Sequence, residues 1–234
     1  MTIRGVLFDK DGTLIDVNGT WVPIYRRLLC EQFGIDVKQA EALMQRVGYN
    51  PETDGFFANS ILASGTTRQL VENWWPDIDE AGMEGKLRMI DVDYAPLSKS
   101  LWKPLMPLAP LLNELKAMKL SVGVATNDSH YSAVNHMQHL GVFELLDEVI
   151  AADTVAVPKP SGDMIRRFAS RMGLKASEIA MVGDNSHDME EARNGGAGLA
   201  IAVLTGNAAH DEIAHLADHT LASIAELPHL LRSL

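Results

Sequence analysis

Residues 7–16 read LFDKDGTLID, where an apolar run from Ile3 to Phe8 ends in two aspartates two positions apart, followed by Gly12. Side chains at i and i+2 lie on the same side of a strand, so Asp9 and Asp11 leave the strand end pointing together. Two like charges that close repel. A bound cation, a proton on one carboxylate, or wide exposure to water must compensate. The apolar texture before the pair recurs from residue 107 onward, in LSVGVAT, DEVIAAD, EIAMVGD and GLAIAVLTG. Between these runs stand amphipathic stretches such as PLLNELKAM, SAVNHMQHL and MIRRFASRM. Continuous apolar strands joined by helical crossovers predict an α/β fold, a doubly wound parallel sheet covered on both faces.

The first strand, IRGVLF, belongs to that sheet by texture, yet residues 17–103 separate it from the rest, which is too long for a loop. This segment reads as helical: WVPIYRRLLCEQFG stops at Gly34, VKQAEALMQRVG stops at Gly48, and TRQLVENWW and EAGMEGKLRMI follow. The expected organisation is a core of residues 1–16 and 104–234 with a helical insertion, 17–103, after the first strand. Pro104, Pro107 and Pro110 mark the return to the core.

The bulk composition narrows the function classes. Hydrophobic residues make up 47% of the 234, which suits a packed core. No run approaches the roughly 18 apolar residues of a membrane span, and MTIRGVLFDK has no signal-peptide pattern, so a cytoplasmic location and no membrane are expected. The net charge of -11 disfavours nucleic acid as a partner. The single cysteine, Cys30, excludes an internal disulfide and reads as buried filler. An anionic small substrate is compatible with this charge only beside a local cation.

In open α/β sheets, ligands sit beyond the carboxyl ends of the strands. Asp9 and Asp11 follow the first strand, Thr126 and Asn127 follow SVGVA, and Asp184 and Asp188 follow IAMVG, so polar residues converge on one edge. Taken in order, DKDGTL at 9–14, TN at 126–127, Lys159 in VPKPSGD, and GDNSHD at 183–188 resemble the four ordered motifs of the haloacid dehalogenase superfamily, phosphatase branch. The insertion resembles the small helical cap of that family's phosphoglycolate-phosphatase-like members. Two positions depart from the usual pattern. Asn185 stands where many relatives have serine, and Pro-Leu-Ala-Pro replaces Pro-Gly before the second-motif strand.

The resemblance implies a phosphatase acting on a small phosphorylated metabolite with Mg²⁺ as cofactor. It makes Asp9 the nucleophile and Asp11 the acid and base. It places Thr126, Asn127 and Lys159 on the phosphoryl group, and it implies Asp9, the backbone carbonyl of Asp11, and Asp184 as metal ligands, with Asp188 orienting Lys159. The chemistry is coherent. A carboxylate can attack phosphorus to give an aspartyl-phosphate, and a second carboxyl can protonate the leaving alkoxide. Mg²⁺ takes carboxylate, carbonyl and phosphate oxygens. With that ion, four aspartates and one lysine leave the site one negative charge, and protonating Asp11 removes it before a phosphate of charge near -2 arrives.

Alternatives within the superfamily are a phosphomutase, against which Thr13 leans, and a metal-independent 2-haloacid dehalogenase, whose enzymes lack the second aspartate of the first motif. From another class comes a non-enzymatic phospho-accepting receiver domain, but receivers have no such insertion. A monomer and a homodimer fit the sequence equally. Substrate choice falls to the insertion, where Tyr25, Arg26, Arg27, Arg46 and Arg68 are available. Trp74 and Trp75 read as cap core, Asp128 as the cap of the following helix, and His136 and His139 as a solvated helix face. The histidines of HDEIAH at 210–215 are five apart and diverge on a helix, so that stretch is not expected to bind metal.

Overall fold

The computed structural model describes residues 2–234, with the side chains of residues 94–97 outside the description. Its strands are β1 (Gly5–Phe8), β2 (Tyr49–Asn50), β3 (Gly55–Phe56), β4 (Ser121–Thr126), β5 (Glu148–Ala151), β6 (Ile179–Gly183), β7 (Leu199–Val203) and β8 (His219–Leu221). Six of them form one sheet in the order β5-β4-β1-β6-β7-β8, with every neighbouring pair parallel. β1 lies between β4 and β6, so Phe8 stands level with Val124 on one side and Val182 on the other.

The two-residue alternation of the strands sends alternate side chains into two cores. Val6 and Phe8 join Val122, Val124, Ala180 and Val182 against Leu108, Leu112 and Leu115 of the helix Leu108–Ala117. Leu7 instead joins Ile150, Met181 and Ala202 against Met164, Ile165 and Phe168 of the helix Asp163–Met172. That is why the strands are apolar throughout rather than alternating. Gly123 has a specific role on this second face. A Cβ there would lie 2.6 Å from the Phe168 ring, so the helix seats its phenylalanine directly on bare backbone.

The insertion makes a third core of its own. Leu28, Met44, Tyr49, Phe56, Leu70 and Trp74 are among its buried members. Its helices begin where short polar side chains take up free N–H groups, as at Asp16, Asp36, Ser60 and Asp79, and Thr66 with Gln69 forms a reciprocal capping box. The helix Val17–Arg27 continues through a wider turn, Leu28–Gln32. The insertion is not wholly helical, because β2 and β3 pair as a short antiparallel hairpin. Trp74 is buried, as expected of cap core, and its indole N–H donates to the Leu43 carbonyl at 3.1 Å.

Entry and exit of the insertion run side by side. The Asp16 N–H donates to the Lys103 carbonyl at 2.8 Å, the Leu105 N–H donates to the Leu14 carbonyl at 3.0 Å, and Ile15 bridges Pro104. Among the described residues no helix is long and apolar enough to cross a membrane.

Candidate active site

Beyond Phe8 the chain turns at once. The Asp9 N–H still donates to Val182 of β6 at 2.8 Å, and the Lys10 carbonyl then accepts from both Leu14 and Ile15, at 2.8 and 3.0 Å. Gly12 has φ +90°, and a Cβ on it would lie 2.4 Å from Asp184 Oδ2. Only glycine meets both demands. The turn therefore brings the end of β1 against the end of β6.

Two ionic centres result, one on each carboxylate of the quoted pair. In the first, Lys159 Nζ lies 2.6 Å from Asp9 Oδ1 and 2.6 Å from Asp188 Oδ1. Asn127 holds this lysine by its backbone: its Oδ1 accepts from Lys159 N at 3.0 Å and its amide donates to Lys159 O at 3.2 Å. Asp188 is fixed in turn by the Asn185 N–H at 3.1 Å. Asp184 accepts from the Thr13 hydroxyl at 3.2 Å, and a Cβ on Gly206 would lie 1.6 Å from its other oxygen. Thr126, at the end of β4, is buried, and its Oγ1 accepts from Asp128 N at 3.1 Å.

In the second centre, Lys10 Nζ lies 2.6 Å from Asp11 Oδ2 and 2.9 Å from Asp128 Oδ2. His136 Nδ1 stands 3.1 Å from the same ammonium and so accepts from it. The indole N–H of Trp21, from the insertion, donates to Asp11 Oδ1 at 2.6 Å. Two readings change here. His136 is buried rather than solvated, with the Trp102 ring 4.1 Å away. Asp128 does not cap the helix His130–His139; Ser129 does, accepting from the Ser132 N–H, which leaves the Asp128 carboxylate to Lys10.

Burial dominates the electrostatics. It pushes the Asp9 and Asp188 carboxyls up against the pull of Lys159, and it raises Asp184 well above the usual range, with repulsion from Asp9 and Asp188 adding to it. Asp11 is also raised, by burial and by Asp128, although Lys10 opposes this. Burial would discharge Lys159, but Asp188 and Asp9 outweigh it and hold the ammonium charged. His187 is held neutral, its pKa taken down to about 3 by burial and then by Lys159.

Three buried carboxylates, Asp9, Asp184 and Asp188, thus face one ammonium. A hard divalent cation fits such an oxygen-rich, negatively charged set. The side-chain amide of Asn185 is buried with no hydrogen-bond partner among the described residues, and an ion-bound water would supply one. The ligand-type atoms that lie closest together belong to Asp9, His187 and Asp188, within 4.8 Å of one another. Asp184 stands apart from that trio because its carboxylate turns to Thr13, Gly12 and Gly206.

All seven residues singled out in the sequence, Asp9, Asp11, Thr126, Asn127, Lys159, Asp184 and Asp188, meet at the carboxyl edge of β1, β4 and β6. Lys10, Trp21, His136 and His187 were not among them. A lysine between two aspartates at the end of an apolar strand was the available signal for the first, since it is the cation nearest in sequence to both and pairs with Asp11. An inner cavity of about 60 Å³ opens on Asp9, Asp11, Thr126 and Asn127 and is roofed by Trp21, Tyr25 and Ile90 of the insertion.

A family model described as haloacid dehalogenase-like hydrolase matches residues 3–196. Glyceraldehyde 3-phosphate phosphatase of Methanocaldococcus jannaschii is 26% identical, over 99% of this chain and 98% of its own. Phosphoglycolate phosphatase of Chromobacterium violaceum is 28% identical, over 99% and 97%. The crystal structure of a predicted phosphoglycolate phosphatase from Haemophilus somnus superposes with a TM-score of 0.74 at 17% identity, over 98% of each chain, which establishes a shared fold.

Proposed function

The chain belongs to the haloacid dehalogenase-like hydrolases, and from that premise we propose that it is a cytoplasmic, Mg²⁺-dependent phosphatase of small phosphorylated metabolites, working through an aspartyl-phosphate. One observation supports this above the others. Two carboxylates two residues apart rest on separate cations, Asp9 on Lys159 and Asp11 on Lys10. Neighbouring acids given different surroundings can take different roles.

In the proposed reaction Asp9 attacks phosphorus, the bond to the ester oxygen breaks, and the proton held by Asp11 passes to the departing alkoxide. Burial, which raises Asp11, favours its holding that proton. A water then attacks phosphorus and gives its proton to Asp11, the Asp9–phosphorus bond breaks, and inorganic phosphate leaves. Lys159 and the polar groups of Thr126 and Asn127 face the transferring group's negative charge. Asp9, the Asp11 carbonyl and Asp184 would hold the Mg²⁺, whose chemistry is to neutralise phosphoryl oxygens and the attacking carboxylate together. Asp188 orients Lys159. In this reading residues 1–16 and 104–234 are the catalytic core and residues 17–103 the cap.

Phosphate release from p-nitrophenyl phosphate tests the reading. Multiple turnover that EDTA abolishes and Mg²⁺ restores is expected. Asp9→Asn should remove turnover, and Asp11→Asn should lower it by roughly 10²–10⁴-fold with metal affinity retained. Appreciable turnover by a verified Asp9→Asn sample would sink the assignment.

A further inference from the structure

We infer, building on the phosphatase reading, that the substrate is a phosphomonoester of a neutral or amino-bearing alcohol. Asp91 of the cap is then the residue that rejects esters with an anion next to the phosphoryl group. The charges around the inner cavity carry this. Among the described residues its lining includes Asp9, Asp11, Asp91 and Asp128 and no lysine or arginine. The two buried lysines stand behind carboxylates, Lys159 between Asp9 and Asp188 and Lys10 between Asp11 and Asp128. His136 adds no charge, because its Nδ1 faces the Lys10 ammonium. The rest of the wall mixes apolar and aromatic side chains, Ile24, Tyr25, Leu28, Leu70 and Ile90, with neutral hydroxyls such as Thr66, Thr67 and Ser132.

The arginines of the insertion do not supply the missing cation. Arg26 pairs with Asp54, Arg27 with Glu31, and Arg46 donates to the Asn73 carbonyl, and none of the three lines the cavity. Arg68 and Arg88 line a separate outer cavity of about 520 Å³, where Arg68 is bound to Glu80 at 3.1 Å and Arg88 stands 3.9 Å from Asp93. Asp91 lines both cavities, as do Thr66, Thr67 and Asn127, so its carboxyl is part of the wall they share. A carboxylate or second phosphoryl group one or two bonds from the ester oxygen would rest in the inner cavity and meet Asp91 with no lysine or arginine among the described lining residues to offset it, since Lys10 is already engaged by Asp11 and Asp128. A hydroxyl or an ammonium there would instead donate to Asp91.

Like charges set against each other in a site cost enough to discriminate by about 100-fold. The test is a comparison of kcat/KM at pH 8 with saturating Mg²⁺ for 2-phosphoglycolate and pyrophosphate against glycerol 1-phosphate and phosphoethanolamine. The wild type should favour the second pair by about that factor, and Asp91→Asn should narrow the gap about tenfold, through a lower KM for 2-phosphoglycolate. A wild type that prefers 2-phosphoglycolate or pyrophosphate overturns the inference, even if the variant does not fold. A folded Asp91→Asn with an unchanged ratio overturns the role of Asp91. Absence of release from all four esters and from p-nitrophenyl phosphate overturns the phosphatase reading itself, and the inference with it.

Discussion

Lys10 sits between two aspartates in sequence, but its fully buried ammonium serves only one of them, Asp11, together with Asp128 from the end of β4. Lys10→Met would leave those two carboxylates buried side by side without a cation. Breaking a buried pair in this way costs about 3–5 kcal/mol. Urea unfolding of the variant should show that loss with an unchanged m-value. Asp91 gives a second prediction at this scale. Burial first, then Asp128, raises its carboxyl from 3.8 to about 7. The folded protein therefore holds a proton there that the unfolded chain has released, so this contribution to stability is full below pH 4 and fades as pH rises through 7. Asp91→Asn should flatten the fall in unfolding free energy over that window, and identical pH profiles for the two proteins would show that the carboxyl is not perturbed. Asp9, Asp11, Thr126, Asn127, Asp184 and Asp188 were legible because they stand at or just beyond the end of an apolar run, which is a local signal, whereas Lys159, between two prolines, was legible only as part of an ordered set of motifs. The rest of the second centre was not legible, since Trp21 reaches Asp11 and His136 reaches Lys10 from two helices that only tertiary packing brings near.

Among the elements, five of the six sheet strands announce themselves as apolar runs, and the helices between them as amphipathic ones. β8 escapes because its three residues, His219–Leu221, carry a polar edge and only Leu221 is buried. The β2–β3 hairpin escapes for a similar reason, since two-residue strands leave no period to detect. The element that matters most to the sheet's second face is the helix Asp163–Met172. Its Phe168 is fully buried and rests on Gly5 and Gly123, with ring atoms 3.1 and 2.6 Å from where their Cβ atoms would lie. Neither glycine can extend a side chain to fill a space left there. Phe168→Ala should therefore cost about 3–5 kcal/mol, near the upper end for a core truncation, and calorimetry would record it as a lowered Tm. A loss under about 1 kcal/mol would mean that the helix can settle onto the sheet.

At the scale of the whole molecule, the insertion has a hydrophobic core separate from the two that flank the sheet, and it meets the sheet at its carboxyl edge. Among the described residues the cores flanking the sheet take only Ala58 from the insertion, at their margin, while the insertion's own core is built from residues within it. The two crossings are held to each other by backbone hydrogen bonds, so a short linker can close the gap between Asp16 and Lys103 where the chain already runs together. What the insertion adds is at the carboxyl edge of the sheet: the indole that holds Asp11, the aromatic roof, and Asp91 in the wall shared by the inner and outer cavities. An open sheet edge would keep Asp9, Lys159, Asp184 and Asp188 but lose the walls that select and shield the substrate. Replacing residues 17–103 with such a linker should thus leave a folded core with slow, Mg²⁺-dependent release of phosphate from p-nitrophenyl phosphate, and little discrimination among phosphate esters. Circular dichroism would confirm the fold, and an assay over a panel of phosphorylated metabolites would read the ranking. If the shortened core kept the parent's order of preference, selection would have to reside in the core's own loops rather than in the cap.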